Sequence, residues 1–247
     1  MGETVDDLIA RMVALLTPLE ADGDPGRFFL GTYLRITRAV ATALGDGLFE
    51  DPAWVETWDV DFAGLYLDAL EAHHRDPATA PAPWRRAFGA SPALRPEAHV
   101  LLGVNAHINF DLPQSLVRVI PTEEFADPGA LDRRRRDHER IDAVLASRVA
   151  TEDVELQRAG DPRTLLDRLL TPVNHLATRT FLRESRRKVW ANTTVLHQAR
   201  LAGDWEYRRR LGELSRLSDA RVADLLRPGP VLLRLAVRGF GVQLPTG

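Results

Sequence analysis

Asp-Pro dipeptides punctuate this sequence, and they constrain its fold more than any other feature. Asp24-Pro25, Asp51-Pro52, Asp127-Pro128 and Asp161-Pro162 each precede apolar residues spaced three and four apart. An Asp before a helix accepts a hydrogen bond from a first-turn N–H, and Pro fits the first helical position, where its missing N–H is not needed. Thr4 and Asp7 form a further start signal, a capping box ahead of Leu8, Met12, Leu15, Leu16 and Leu19. The next helix carries Phe28, Phe29, Tyr33, Ile36 and Val40 and stops near Gly45-Asp46-Gly47. Trp54, Val55 and Trp58, then Phe62, Leu65, Tyr66 and Leu70, continue the pattern from Pro52 to His73.

A Pro/Ala-rich loop is expected from Asp76 to Pro83 and a short helix from Trp84 to Phe88. A central helix runs from Pro96 to Leu112 and ends before Pro113. The helix after Asp127-Pro128 extends to Val149 with an Arg133–Arg136 run that reads as a solvated face, and a short one follows Asp161-Pro162. A long helix runs from Pro172 to Ala202, and one or two more cover Asp204 to Leu226. Arg227-Pro228-Gly229-Pro230 is a break, after which Val231 to Val237 fits helix or strand. No set of alternating strands lines up. The expectation is an all-α, single-domain helical bundle over residues 1–247. The helix at 96–112 is buried inside it, and the long helix lies across.

Composition narrows the function classes. An apolar fraction of 45% over 247 residues supports a large core. A net charge of −3 argues against a nucleic-acid partner. Lys188 is the only lysine, so the many arginines reflect a general bias and say little about phosphate binding. There is no cysteine, hence no disulfide or thiolate chemistry. The acidic N-terminus lacks signal-peptide features, and no apolar run approaches the ~20 residues of a membrane span. A cytoplasmic location without membrane contact is the expectation.

The central helix carries the chemistry. Residues four apart share a helix face, so Gly103, His107 and Asp111 align, with His99 a turn back, while Asn105 and Asn109 align on another face. No charged residue lies between Glu97 and Asp111. Two amides and two imidazoles among apolar residues indicate a buried helix with an internal polar network. Each such group costs about 1–3 kcal/mol if buried without a partner. Three readings fit: a satisfied core network, a metal site, or a His107–Asp111 acid–base pair with Asn105 and Asn109 assisting. Tyr33, Trp58, Tyr66, Gly103, His175, Arg179 and Trp190 are the candidate residues to line a substrate pocket around the pair. The competing readings are core packing for the aromatics and a surface helix for the residues after Pro172.

The run Leu101-Leu102-Gly103-Val104-Asn105-Ala106-His107-Ile108-Asn109-Phe110-Asp111-Leu112 resembles the signature of a bacterial family of uncharacterised helical proteins. Asp51-Pro52-x-Trp54-Val55, Phe62-Ala63-x-x-Tyr66 and Pro83-Trp84-Arg85-x-Ala87-Phe88 fit the same pattern. That resemblance implies a helical domain and carries no established activity. His107-x-x-x-Asp111 also resembles, locally, the helical zinc enzymes of the phospholipase C and P1 nuclease type. Here Pro113 stands where their next histidine would be, and their His-x-x-x-Glu is absent. A second such spacing, His138 to Asp142, falls in the Arg-rich helix and reads as solvated. The expectation is therefore no metal and no cofactor. The function expected is small-molecule chemistry of acid–base or cyclisation type, in specialised metabolism. The alternatives are a pocket that binds without turnover and a metal-dependent hydrolase.

Overall fold

In the computed structural model the described residues are 2–141, 144, 175–229, 235 and 239–245, the side chains of 175–183 excepted. The helices are α1 (Val5–Ala21), α2 (Gly26–Gly45), α3 (Pro52–Arg75), α4 (Ala82–Phe88), α5 (Pro96–Ala106), α6 (Leu112–Val119), α7 (128–141), α8 (His175–Ala202) and α9 (Asp204–Leu225). A five-residue π turn, His107–Asp111, joins α5 to α6. Two 3-10 turns, Pro77–Thr79 and Thr122–Ala126, lie in the connections. No strand occurs among the described residues, so the fold is all-α. The helix expected after Asp161-Pro162 lies outside the described residues. So does the ambiguous tail at 231–237, except Leu235, which is helical and buried.

Asp starts act as the spacing predicts. Asp24 Oδ1 accepts from Gly26 N at 2.6 Å, Asp51 Oδ1 from Trp54 N at 3.0 Å, and Asp127 Oδ1 from Gly129 N at 2.8 Å. Thr4 and Asp7 close the capping box on α1. One start differs in detail: α2 begins at Gly26, so Pro25 stands at the cap position instead of the first turn.

The chain divides into two compact units, residues 1–63 with 119–175, and residues 64–118 with 176–247. In the first, α1 packs on α2, burying Leu8, Met12, Phe29 and Leu30. An aromatic ladder runs Trp54–Trp58–Phe62 along α3, each pair stacked within 6.3 Å, and Tyr33 meets Phe62 edge-on. The Arg run is not uniformly solvated. Arg134 is buried: it donates twice to Glu124 and once to Asp51 and lies 4.8 Å over the Trp54 ring. His138, expected in solvent, is buried edge-on against Trp58, because its α7 face turns toward the aromatic ladder.

Asp137, on the same α7 face, is fully buried and accepts from the backbone N–H of Glu50 at 2.7 Å and of Asp51 at 2.9 Å. It thereby ties α7 to the start of α3. Removing a buried acceptor strands its donors at about 1–3 kcal/mol each. Asp137→Ala is expected to destabilise the protein by about 2–4 kcal/mol, measured by urea unfolding. A loss under about 0.5 kcal/mol, the range of an ordinary surface change, would show that water replaces the carboxylate.

In the second unit, α9 packs on α4 and α5. Tyr66, Leu67, Trp84, Val100, Leu102, Leu116, Leu196 and Leu214 are all buried. α5 is buried on several sides, with His99, Val100, Leu102, Gly103, Asn105 and Ala106 inside. The rod does not stop before Pro113. Proline has no N–H for the carbonyl of residue 109, and its ring crowds that oxygen. The π turn opens the spiral at this point: Leu112 N bonds His107 O, five residues back. Gln114 Nε2 donates to Phe110 O at 2.8 Å, so that carbonyl is satisfied by a side chain.

Candidate functional site

The π turn places His107 and Asp111 side by side. His107 Nδ1 lies 2.9 Å from Asp111 Oδ2, and the same oxygen accepts from Trp84 Nε1 at 2.8 Å. Trp84 comes from α4, whose short span buries Pro83, Trp84 and Ala87. A buried indole N–H usually finds an acceptor, and for Trp84 Asp111 supplies it. Tyr66 closes the group, its ring 4.9 Å from Trp84 and 6.0 Å from His107. Phe88 stacks on Trp84 at 5.1 Å and lies 6.3 Å from Tyr66. The side chains of His107 and Asp111 are 4% and 2% exposed, which makes this a sealed pair.

Burial sets the electrostatics. It pushes the His107 imidazole below its ordinary value of 6.5, against the opposing hydrogen bond and charge of Asp111. It pushes the Asp111 carboxyl above 3.8, against His107, Trp84 and the more distant Arg118. Desolvation disfavours the charged form of each group. The pairing with Asp111, which favours the charged imidazole, is therefore the smaller effect on His107. When Asp111 is ionised, a neutral His107 donates from Nδ1 and carries its lone pair on Nε2.

Asn105 and Asn109 do different work from that expected of them. They face the chain's C-terminal segment and do not join the His–Asp pair. Asn109 Nδ2 donates to Phe240 O at 3.1 Å and its Oδ1 accepts from Val242 N at 3.0 Å. Asn105 Nδ2 donates to the same Phe240 oxygen at 3.3 Å, while its own Oδ1 is buried with no hydrogen bond. On α8, Asn192 repeats the grip: Nδ2 donates to Val242 O at 3.0 Å and Oδ1 accepts from Leu244 N at 2.8 Å. The reason is helical geometry. Two residues on from Asn105, or back from Asn109, the side chain swings to the opposite side of the rod.

Among the other candidates, Tyr66 joins the pair directly. Gly103 sits in the buried turn before it, its carbonyl accepting from His107 N. Trp190 is buried on α8 in the same unit. Tyr33 and Trp58 belong to the first unit, in its aromatic ladder. His175 and Arg179 fall on the first turns of α8, and their side chains lie outside the described residues. Sequence reasoning missed Trp84 as a partner of Asp111, and Asn192 as the second clamp. The alternation Phe240, Val242, Leu244 was the available sign of an extended segment. Among the described residues no group of three or more His, Asp or Glu side chains converges as metal ligands, and no helix is long and apolar enough to cross a membrane.

No curated protein and no solved structure matches this chain. The profile of one protein family, described as a family of unknown function (DUF5995), matches residues 5–228. That span holds the π turn, Trp84 and the His107–Asp111 pair, and the chain belongs to this family.

Proposed function

We propose that the protein is an enzyme acting on a small molecule, with His107 as general base or acid and Asp111 as the residue that orients it. The observation that carries this reading is the 2.9 Å contact between His107 Nδ1 and Asp111 Oδ2. A carboxylate on Nδ1 fixes the tautomer and leaves Nε2 as the reacting nitrogen, the arrangement general acid–base catalysis uses. Trp84, donating to the same oxygen, restrains the carboxylate in turn. The neutral imidazole can accept a proton from substrate where Asp111 and the charge left on the substrate stabilise the imidazolium that forms. The chemistry this supports is proton transfer in an apolar site: isomerisation, elimination or cyclisation of a largely hydrophobic substrate. A cytoplasmic setting in specialised metabolism belongs to the same proposal.

One observation favours a second reading. The pair is sealed, so turnover requires the second unit to open around Tyr66 and Trp84. A site that only sequesters an apolar compound has no such need of repeated opening. Incubating the protein with a metabolite extract, and comparing it with His107→Gln, separates the two. Consumption of a compound by the wild type, lost in His107→Gln, supports catalysis. A compound that co-purifies and is returned unchanged by both supports sequestration.

A further inference from the structure

The clamp around residues 240–244 reads a peptide backbone. Phe240 O, Val242 N, Val242 O and Leu244 N are the groups that one edge of an extended strand presents, on alternate residues. Asn109 takes the first two and Asn192 the next two. Each side-chain amide thus offers the donor and acceptor that a neighbouring strand would offer. Lys188 Nζ adds a bond to the intervening carbonyl, Gly241 O, at 3.0 Å. All of these contacts go to main chain.

Side chains of the segment meet shape alone. Phe240, Val242 and Leu244 are buried, and Gln243 is exposed. Two glycines are required. Gly239 has φ +72°, and a Cβ there would run into the Glu184 carboxylate. A Cβ on Gly241 would come within 2.8 Å of Lys188 Cδ and 3.4 Å of the Ser185 backbone. The recognised pattern is therefore Gly-apolar-Gly-apolar-x-apolar. The family match ends at residue 228. The clamp residues Asn105, Asn109, Lys188 and Asn192 lie inside that match, and the segment they hold lies beyond it.

From this division we infer that Asn105, Asn109, Asn192 and Lys188 form a peptide-binding site for an extended Gly-apolar-Gly-apolar-x-apolar segment. The site is occupied here by the chain's own residues 239–244, and it accepts such a peptide from another molecule when that segment is released. Recognition follows the strand-addition mode, in which main-chain hydrogen bonds supply affinity and alternate side chains supply selectivity. The tethered segment acts at an effective concentration in the millimolar range, so it excludes competitors until displaced.

The test uses the full chain carrying Gly241→Val and Val242→Pro. The first collides with α8 and the second removes the N–H that Asn109 accepts. The probe is a fluorescently labelled synthetic peptide of residues 239–244, followed by anisotropy, with circular dichroism to verify folding. The released chain is expected to bind the peptide at least about tenfold more tightly than the wild type does. Adding Asn109→Leu and Asn192→Leu is expected to abolish binding, as is proline in place of valine in the peptide. A folded released chain that ignores the peptide would overturn the proposal. If the released chain does not fold, hydrogen exchange of the wild type with excess unlabelled peptide decides. Faster exchange at Val242 and Leu244 supports displacement, and unchanged exchange overturns it.

Discussion

Replacing Asp59 by asparagine is expected to stabilise the protein, and to do so chiefly at and above neutral pH. Asp59 sits on α3 in the first unit, 8% exposed, with Oδ2 making no hydrogen bond. Burial, with Glu56 nearby adding like charge, pushes its pKa from 3.8 to about 7. The folded value lies above the unfolded one, so the stabilising contribution is fully present below 3.8. It is lost as pH rises through about 7, because the unfolded chain releases a proton that the folded chain retains. Each pH step in that window is worth about 1.36 kcal/mol, which caps the loss near 4 kcal/mol. Asparagine keeps the shape and cannot ionise; its own buried amide costs about 1 kcal/mol. The variant should therefore gain about 3 kcal/mol at pH 8 and lose up to about 1 kcal/mol at pH 4. Urea unfolding of both proteins across this range checks it. Parallel stability curves would show that the carboxylate is ionised and hydrated in the folded protein.

Asp111→Ala is expected to have the largest destabilising effect in the second unit, about 3–5 kcal/mol. It strands two buried donors, Trp84 Nε1 and His107 Nδ1, and leaves a cavity. Replacing a buried polar group by a fitted apolar one can be neutral, whereas removing one partner alone is costly. Trp84→Phe combined with Asp111→Leu and His107→Phe should accordingly recover much of the loss. If it does not, the cost lies in packing around the π turn and not in the stranded hydrogen bonds. The pH profile carries a second signature. His107 has a folded value below its unfolded 6.5, so its contribution is present above 6.5 and lost as pH falls through the folded value. His107→Gln should flatten that acid-side slope.

The helices were legible because their starts are written locally. An Asp followed by Pro, or Thr4 with Asp7, acts within one turn, and the structure places the bonds where spacing puts them. The His107–Asp111 contact was legible for the same reason, since both partners sit on one rod. Trp84 and Asn192 were not, because their partners lie 27 and about 50 residues away in sequence, and nothing local encodes such pairings. Pro113 misled for a physical reason: proline usually ends a helix, and here the wider turn before it absorbs the steric conflict. His138 and Arg134 misled because a charged run looks solvated until a neighbouring helix covers one face of it.

That wider turn also resets rotational phase. A regular helix advances about 100° per residue, and the five-residue turn closes where four residues would normally suffice. Everything after Asp111 is therefore rotated by roughly one residue's angle relative to an unbroken helix. α5 is buried on several sides, and α6 is buried along Leu112 to Val117, with Arg118 exposed. A single rod thus packs two buried segments at an angular offset that a uniform spiral would not give. Removing Ile108, the least buried residue of the turn, would rotate α6 against its packing by about that angle. The turn works as an angular offset between the segment that holds the polar pair and the segment that anchors it.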